Sequence, residues 1–117
     1  MSFWIICLLI VYAVLMSCGQ ILFKLAANSG AYFPKIGSAF AAYLNPYFLI
    51  AITLYFGLTV FWIWLIKFVP LSKAYPIVAI SFVVTPLLAQ VILAENLPKD
   101  LLVGSFLIIT GIYLITR

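Results

Sequence analysis

Four apolar runs, separated by polar connections, organise the chain. Ser2 to Leu25 contains one charge, Lys24, near its end; Tyr47 to Ile66, Ala74 to Ala94 and Leu101 to Thr116 follow. A helix that crosses a bilayer needs about 20 mostly apolar residues. The first three runs meet that length, and the fourth, closed by Arg117, is short at about 16 residues. The runs are continuously apolar, without the alternation of a membrane β-barrel. The predicted fold is an all-α membrane protein: one domain over residues 1–117, a bundle of four transmembrane helices at 2–25, 47–66, 74–94 and 101–116.

The connections carry the topology. Residues 28–46 open with Asn28-Ser29-Gly30 and hold Pro34 and Pro46, while Ile36, Phe40 and Tyr43-Leu44 recur at helical spacing. That pattern predicts a short helix lying in the membrane interface. The second run closes on Trp62, Trp64 and Lys67, an aromatic and cationic edge suited to the headgroup level. Val69 to Lys73 is a short turn, so spans two and three are expected as antiparallel neighbours. Pro76 and Pro86 interrupt the third run. A proline inside a spanning helix frees a carbonyl and bends the helix, so kinks are expected at both positions and this helix is the candidate for lining a cavity.

Composition agrees with the runs. Of 117 residues 68% are apolar or aromatic and 7% are charged. A water-soluble domain carries roughly a quarter charged residues, so this chain cannot cover itself in water. Little remains for a soluble catalytic domain or a nucleic-acid-binding arm. The net charge of +4 comes from cations that stand singly, Lys24, Lys35, Lys67, Lys73, Lys99 and Arg117. Isolated cations at the ends of apolar runs read as topology signals and headgroup anchors. Lys67, Lys73 and Arg117 share a face with the termini, and Lys24, Lys35 and Lys99 lie opposite. The added amino terminus tips this even tally slightly toward both termini in the cytoplasm.

Cys7 and Cys18 lie eleven positions apart in the first run, more than about 16 Å along a helix, too far to bridge. No basic residue precedes the run, so Leu15-Met16-Ser17-Cys18 is read as part of a span and not as a lipoprotein processing site. With no His and only two acids, no metal site is expected and no cofactor is implied. No nucleophile can be paired with a base, which argues against an enzyme.

Polar residues within spans are costly and point to function. Ala13, Ser17, Gln20 and Lys24 follow one another at spacings of four, three and four, a stripe that must face protein or a polar cavity. Structural duty competes with function here: Ser17 and Gln20 can bond a neighbouring helix, and Lys24 can snorkel to the interface. In the third span Ser81 and Thr85 are one turn apart, with Gln90 beyond and Tyr75 at the mouth beside Lys73. Thr53, Gly57 and Thr59 in the second span read as a close-packing face. Gly104 and Gly111, seven apart on the fourth span, read as a dimer contact. Glu95 and Asp100 bracket the last turn, and neither lies deep in a span.

Gly19-Gln20-Ile21-Leu22-Phe23-Lys24, Val69-Pro70-Leu71-Ser72-Lys73-Ala74-Tyr75-Pro76 and the run Gly104 to Ile112 resemble the small multidrug resistance fold of the drug/metabolite transporter superfamily. The likeness covers nearly the whole chain, and its specificity comes from the order and spacing of short motifs. The drug-exporting branch has a glutamate in the middle of its first span, where aligning on Gly19 and Lys24 places Met16. The branch similar to subunits of the 4-amino-4-deoxy-L-arabinose-phosphoundecaprenol flippase lacks that glutamate. It shares Gly19-Gln20, Ala74-Tyr75-Pro76 and a glutamate after the third span, here Glu95.

The resemblance implies translocation of a polyprenyl-phosphate-linked sugar across the bacterial cytoplasmic membrane, by a homodimer or a heterodimer with a similar small subunit. A groove lined by Gln20, Ser81 and Thr85 would carry the head, with Tyr75 and Glu95 near its mouths. Lys24 or Lys73 would hold the phosphate. With no carboxylate at depth, the expected process is a facilitated flip drawn by consumption of the sugar outside. Two other readings stand beside it: an exporter of small cationic or metabolite substrates, and a non-transporting scaffold for a membrane glycosyltransferase.

Overall fold

The computed structural model describes residues 2–29 and 46–117. The interfacial helix expected within 28–46 lies, from residue 30 to residue 45, outside the described residues. The described residues form five helices and no strand: α1 (Phe3–Ser29), α2 (Pro46–Leu65), α3 (Leu71–Val78), α4 (Ser81–Leu93) and α5 (Leu101–Thr116).

Three segments are long and apolar enough to cross a membrane: Phe3–Asn28, Pro46–Leu65 and, taking α3 and α4 together, Leu71–Leu93. The chain is therefore a multi-pass membrane protein. A helix with the bounds expected of the fourth span is present as α5, but it is not among the segments long enough to cross: its 16 residues rise only about 24 Å, short of a hydrocarbon core of about 30 Å.

Helix α1 continues to Ser29, beyond the expected end at Leu25. Lys24 does not stop it because a long stem lets the ammonium reach the interface, and Leu25, Ala26 and Ala27 are strong helix formers. The third span starts at Leu71, earlier than expected. Pro70, with φ −59° and ψ 138°, precedes the first turn, where its missing N–H costs nothing.

The kinks expected at Pro76 and Pro86 resolve into one interruption at Ala79–Ile80, and both prolines lie inside helices. The Ala79, Ile80 and Phe82 amides donate to carbonyls three residues back, of Pro76, Ile77 and Ala79, at 3.0, 3.2 and 3.0 Å. Pro86 has no N–H for the Phe82 carbonyl and its ring crowds that carbonyl. The tightened turn sits immediately before Phe82, where the first turn of α4 must absorb that crowding.

Helix α1 is the hub, packed against α2, α3 and α4, while α5 rests on α3 and, more lightly, α4. Tyr12 faces Phe61 and Trp62 near one end of the α1–α2 pair and Phe23 faces Phe48 near the other, so the two helices are antiparallel. Lipid is as apolar as leucine, so close backbone approach at small residues holds spanning helices together. Ala13, Ala51 and Ala74 are fully buried accordingly. An apolar core of Leu9, Ala13, Leu65, Val69, Ala74, Ile77 and Val78 gathers in the half of the bundle nearer the termini. Gln20 and Thr85 lie in the opposite half.

Candidate functional site

The stripe on α1 changes character along its length. Ala13 and Ser17 are fully buried, and Ser17 Oγ donates to the Ala13 carbonyl at 3.0 Å. That bond gives Ser17 a structural role within its own helix. One turn on, Gln20 is exposed, and Lys24 is exposed beyond it. The stripe thus passes from core to an open face.

That open face borders a cleft of about 330 Å³ lined by Met16, Gln20, Ser81, Phe82, Thr85 and Pro86. Met16 is near the middle of the first span, and Ser81, directly after the Ala79–Ile80 turn, is near the middle of Leu71–Leu93. The cleft therefore opens close to the bilayer centre. Gln20 and Thr85 lie one helical turn, roughly 6 Å, nearer the edge, and Lys24 roughly 12 Å nearer. A second cleft of about 330 Å³ is lined by Thr85, Pro86, Ala89, Glu95, Asn96, Leu97 and Pro98. The two clefts share Thr85 and Pro86, so polar positions continue from mid-depth at Ser81 to the edge at Glu95.

Glu95 is placed by a backbone device. Ala94 ends α4 in the left-handed region, φ 54° and ψ 32°, and the Glu95 amide donates back to the Ala89 carbonyl at 3.3 Å. The chain turns sharply there and leaves Glu95 exposed at the rim.

One residue of this region carried no expectation. Tyr55, on α2, reaches across to α1: the Gln20 amide nitrogen donates to its hydroxyl at 2.7 Å, and that hydroxyl donates to the Met16 carbonyl at 3.1 Å. Its ring also packs on Phe23, with centroids 5.1 Å apart. The signal in the sequence was a phenol well inside an apolar span, where its O–H must find a partner.

Hydroxyl bonding separates the cleft from the rest of the bundle. Thr53, Thr59 and Thr110 each donate to the carbonyl four residues earlier, at 2.9, 2.8 and 2.8 Å. Thr53 and Thr59 are exposed, and a Cβ at Gly57 would meet open space, so these positions are an outward face and not the close-packing one expected. The Ser81 and Thr85 hydroxyls make no hydrogen bond among the described residues. The cleft thus carries two uncommitted hydroxyls. Gln90 is exposed.

The remaining expected site residues stand apart. Lys73 is half-buried and Tyr75 exposed near the start of α3, at the end of the third span opposite Glu95. Tyr75 meets Trp62 edge-on at 6.2 Å, and Trp62 stacks on Tyr12 at 5.0 Å, so Trp62 serves as interhelical packing. Lys24 and Lys73 are thus at opposite faces of the membrane and cannot serve one phosphate together. Gly104 and Gly111 lie on α5, where a Cβ at either would meet nothing within 4 Å among the described residues. Cys7 and Cys18 are free thiols, and no metal-ligating cluster occurs among the described residues.

No protein-family model, no curated protein and no solved structure matches this chain. The fold and the cleft define it as a multi-pass helical membrane protein with a mid-depth cleft in which three uncharged polar side chains, Gln20, Ser81 and Thr85, stand among apolar ones.

Proposed function

We propose that this protein is a flippase subunit of the small multidrug resistance-like type, moving a polyprenyl-phosphate-linked sugar across the bacterial cytoplasmic membrane. One observation carries the reading: the cleft between α1 and α4 offers Gln20, Ser81 and Thr85 near the bilayer centre and, among the described residues, no charged side chain. A cation would enter it without a counter-ion, at a desolvation cost of several kcal/mol. A sugar attached to a lipid meets no such cost, because its tail stays in hydrocarbon and its hydroxyls exchange water for side-chain hydrogen bonds. The glycine face of α5, with room for a Cβ at both Gly104 and Gly111, suits a second subunit of similar build.

The test is reconstitution into vesicles loaded with a polyprenyl-phosphate hexose, following the rate at which the sugar becomes accessible to an impermeant oxidant. Faster exposure than in protein-free vesicles, slowed in Gln20→Ala, is the expected result. Exposure no faster than without protein, for the chain alone and for the chain purified with any partner subunit, overturns the proposal.

The position of Glu95 in the second cleft supports a competing reading, export of small cations at the membrane edge. Expression would then confer resistance to quaternary ammonium compounds, and Glu95→Gln would abolish that resistance. Sensitivity equal to that of cells without the protein removes this reading.

A further inference from the structure

Tyr55 has one proton to give. In the structure it goes to the Met16 carbonyl, at 3.1 Å, which is fixed within α1. Toward Gln20 the phenol oxygen is therefore only an acceptor, so the Gln20 amide must present N–H to it, as the 2.7 Å contact from Nε2 shows. The assignment of the two ends of the amide follows from this chain of donors and does not rest on the outline of the side chain. Gln20 Oε1 is left without a partner among the described residues. The Ser81 and Thr85 hydroxyls across the cleft are likewise uncommitted, and each can donate or accept.

We infer that Tyr55 is a positioning residue that sets the hydrogen-bonding polarity of the cleft, locking Gln20 as an acceptor so that the site selects a ligand's hydroxyl donors. The favoured ligand group is the uncharged, hydroxyl-bearing face of a sugar, and the disfavoured one is a phosphate. A phosphate has no proton to give to Gln20 Oε1, and it would bury its charge with no cation among the described residues of the lining. The phosphate therefore stays outside the cleft, toward Lys24, the next cation along the α1 stripe. Without the phenol O–H the Gln20 amide is free to turn over, and the cleft loses its preference without losing its shape. This inference rests on the flippase reading, whose site it specifies.

The test measures binding of two lipids, a polyprenyl phosphate carrying a hexose and the same polyprenyl phosphate bare, to the intact protein in nanodiscs by native mass spectrometry. The wild type is expected to favour the sugar-bearing lipid. Tyr55→Phe, which keeps the ring, should reduce that preference about tenfold, the worth of one net hydrogen bond, with bare-lipid binding unchanged. Gln20→Met, which fills the same space without an acceptor, should reduce it as much, and the double variant no further. A Tyr55→Phe protein that keeps the full preference, or weakens both lipids equally, overturns the inference. A wild type that speeds flipping of the sugar lipid yet shows no preference for it overturns the inference alone. A wild type that binds neither lipid overturns the flippase reading with it.

Discussion

Tyr55 lies with its ring directly against Gly19. A Cβ built at Gly19 would meet the Tyr55 Cε2 atom, with Cδ2 at 3.0 Å and Cζ at 3.2 Å. The glycine is what lets α2 bring a phenol close enough to bond both Gln20 and the Met16 carbonyl. Gly19→Ala should push the ring away, breaking both bonds and costing about 1–3 kcal/mol of overpacking. Denaturant unfolding in detergent micelles checks this. In a Tyr55→Ala background the same change should become neutral or stabilising, since alanine favours helix over glycine and the obstacle is gone.

Much of this arrangement was legible in the residues, and the failures have physical causes. Apolar length alone located α2 and α5, because only helices satisfy every backbone group in lipid. Helix α1 runs past Lys24 as far as Ser29, because a lysine at the membrane edge does not by itself break a helix. Spacing put Gln20, Ser81 and Thr85 forward as groove-lining residues, and the structure does bring them to one cleft. In the sequence Lys73 and Tyr75 already stand apart from that group, because antiparallel spans put them at the face opposite Lys24, and the structure keeps them at that end of the third span. Spacing could not reveal Tyr55, whose role depends on a helix 35 positions away in sequence.

Ala94 offers a stabilising change. Its φ of 54° is a conformation in which a Cβ is strained and a glycine is not. Ala94→Gly should therefore raise stability by about 0.5–1 kcal/mol, read as a shift of the unfolding midpoint, and Ala94→Val should lower it. Equal midpoints for all three proteins would contradict the left-handed cap.

Lys24 and Lys73 lie at opposite ends of the bundle, and only Lys24 continues the stripe that borders the cleft. If a lipid phosphate rests near the cleft, Lys24→Met should weaken binding of a polyprenyl phosphate by about three- to tenfold, an effect that shrinks as salt is raised. Lys73→Met should leave that affinity within about twofold at the same salt. Titration of lipid into nanodisc-held protein at two ionic strengths separates the two lysines. A larger loss from Lys73→Met would move the phosphate to the other membrane face.

Thr85 and Thr59 form a matched pair of threonines in spanning helices, one on the cleft and one on the outer face. Thr59 Oγ1 already donates to the Tyr55 carbonyl at 2.8 Å, a bond within its own helix that leaves it no proton to offer a ligand. Thr85 Oγ1 has no such bond among the described residues, and it borders both clefts. Valine matches threonine in shape and lacks the hydroxyl, so the two substitutions differ in what each hydroxyl was doing. Thr59→Val should leave sugar-lipid flipping within about twofold of wild type, since a back-bond of this kind adds little to a helix. Thr85→Val should slow flipping by about three- to tenfold, the loss of one hydrogen bond to the moving head. Unfolding midpoints measured beside the rates exclude a folding defect as the cause, because removing an uncommitted hydroxyl from a lipid-facing cleft should not destabilise the helix. Slowing of equal size in both variants would show that the cleft hydroxyls do not touch the cargo, and the path would then have to run over another face of α4.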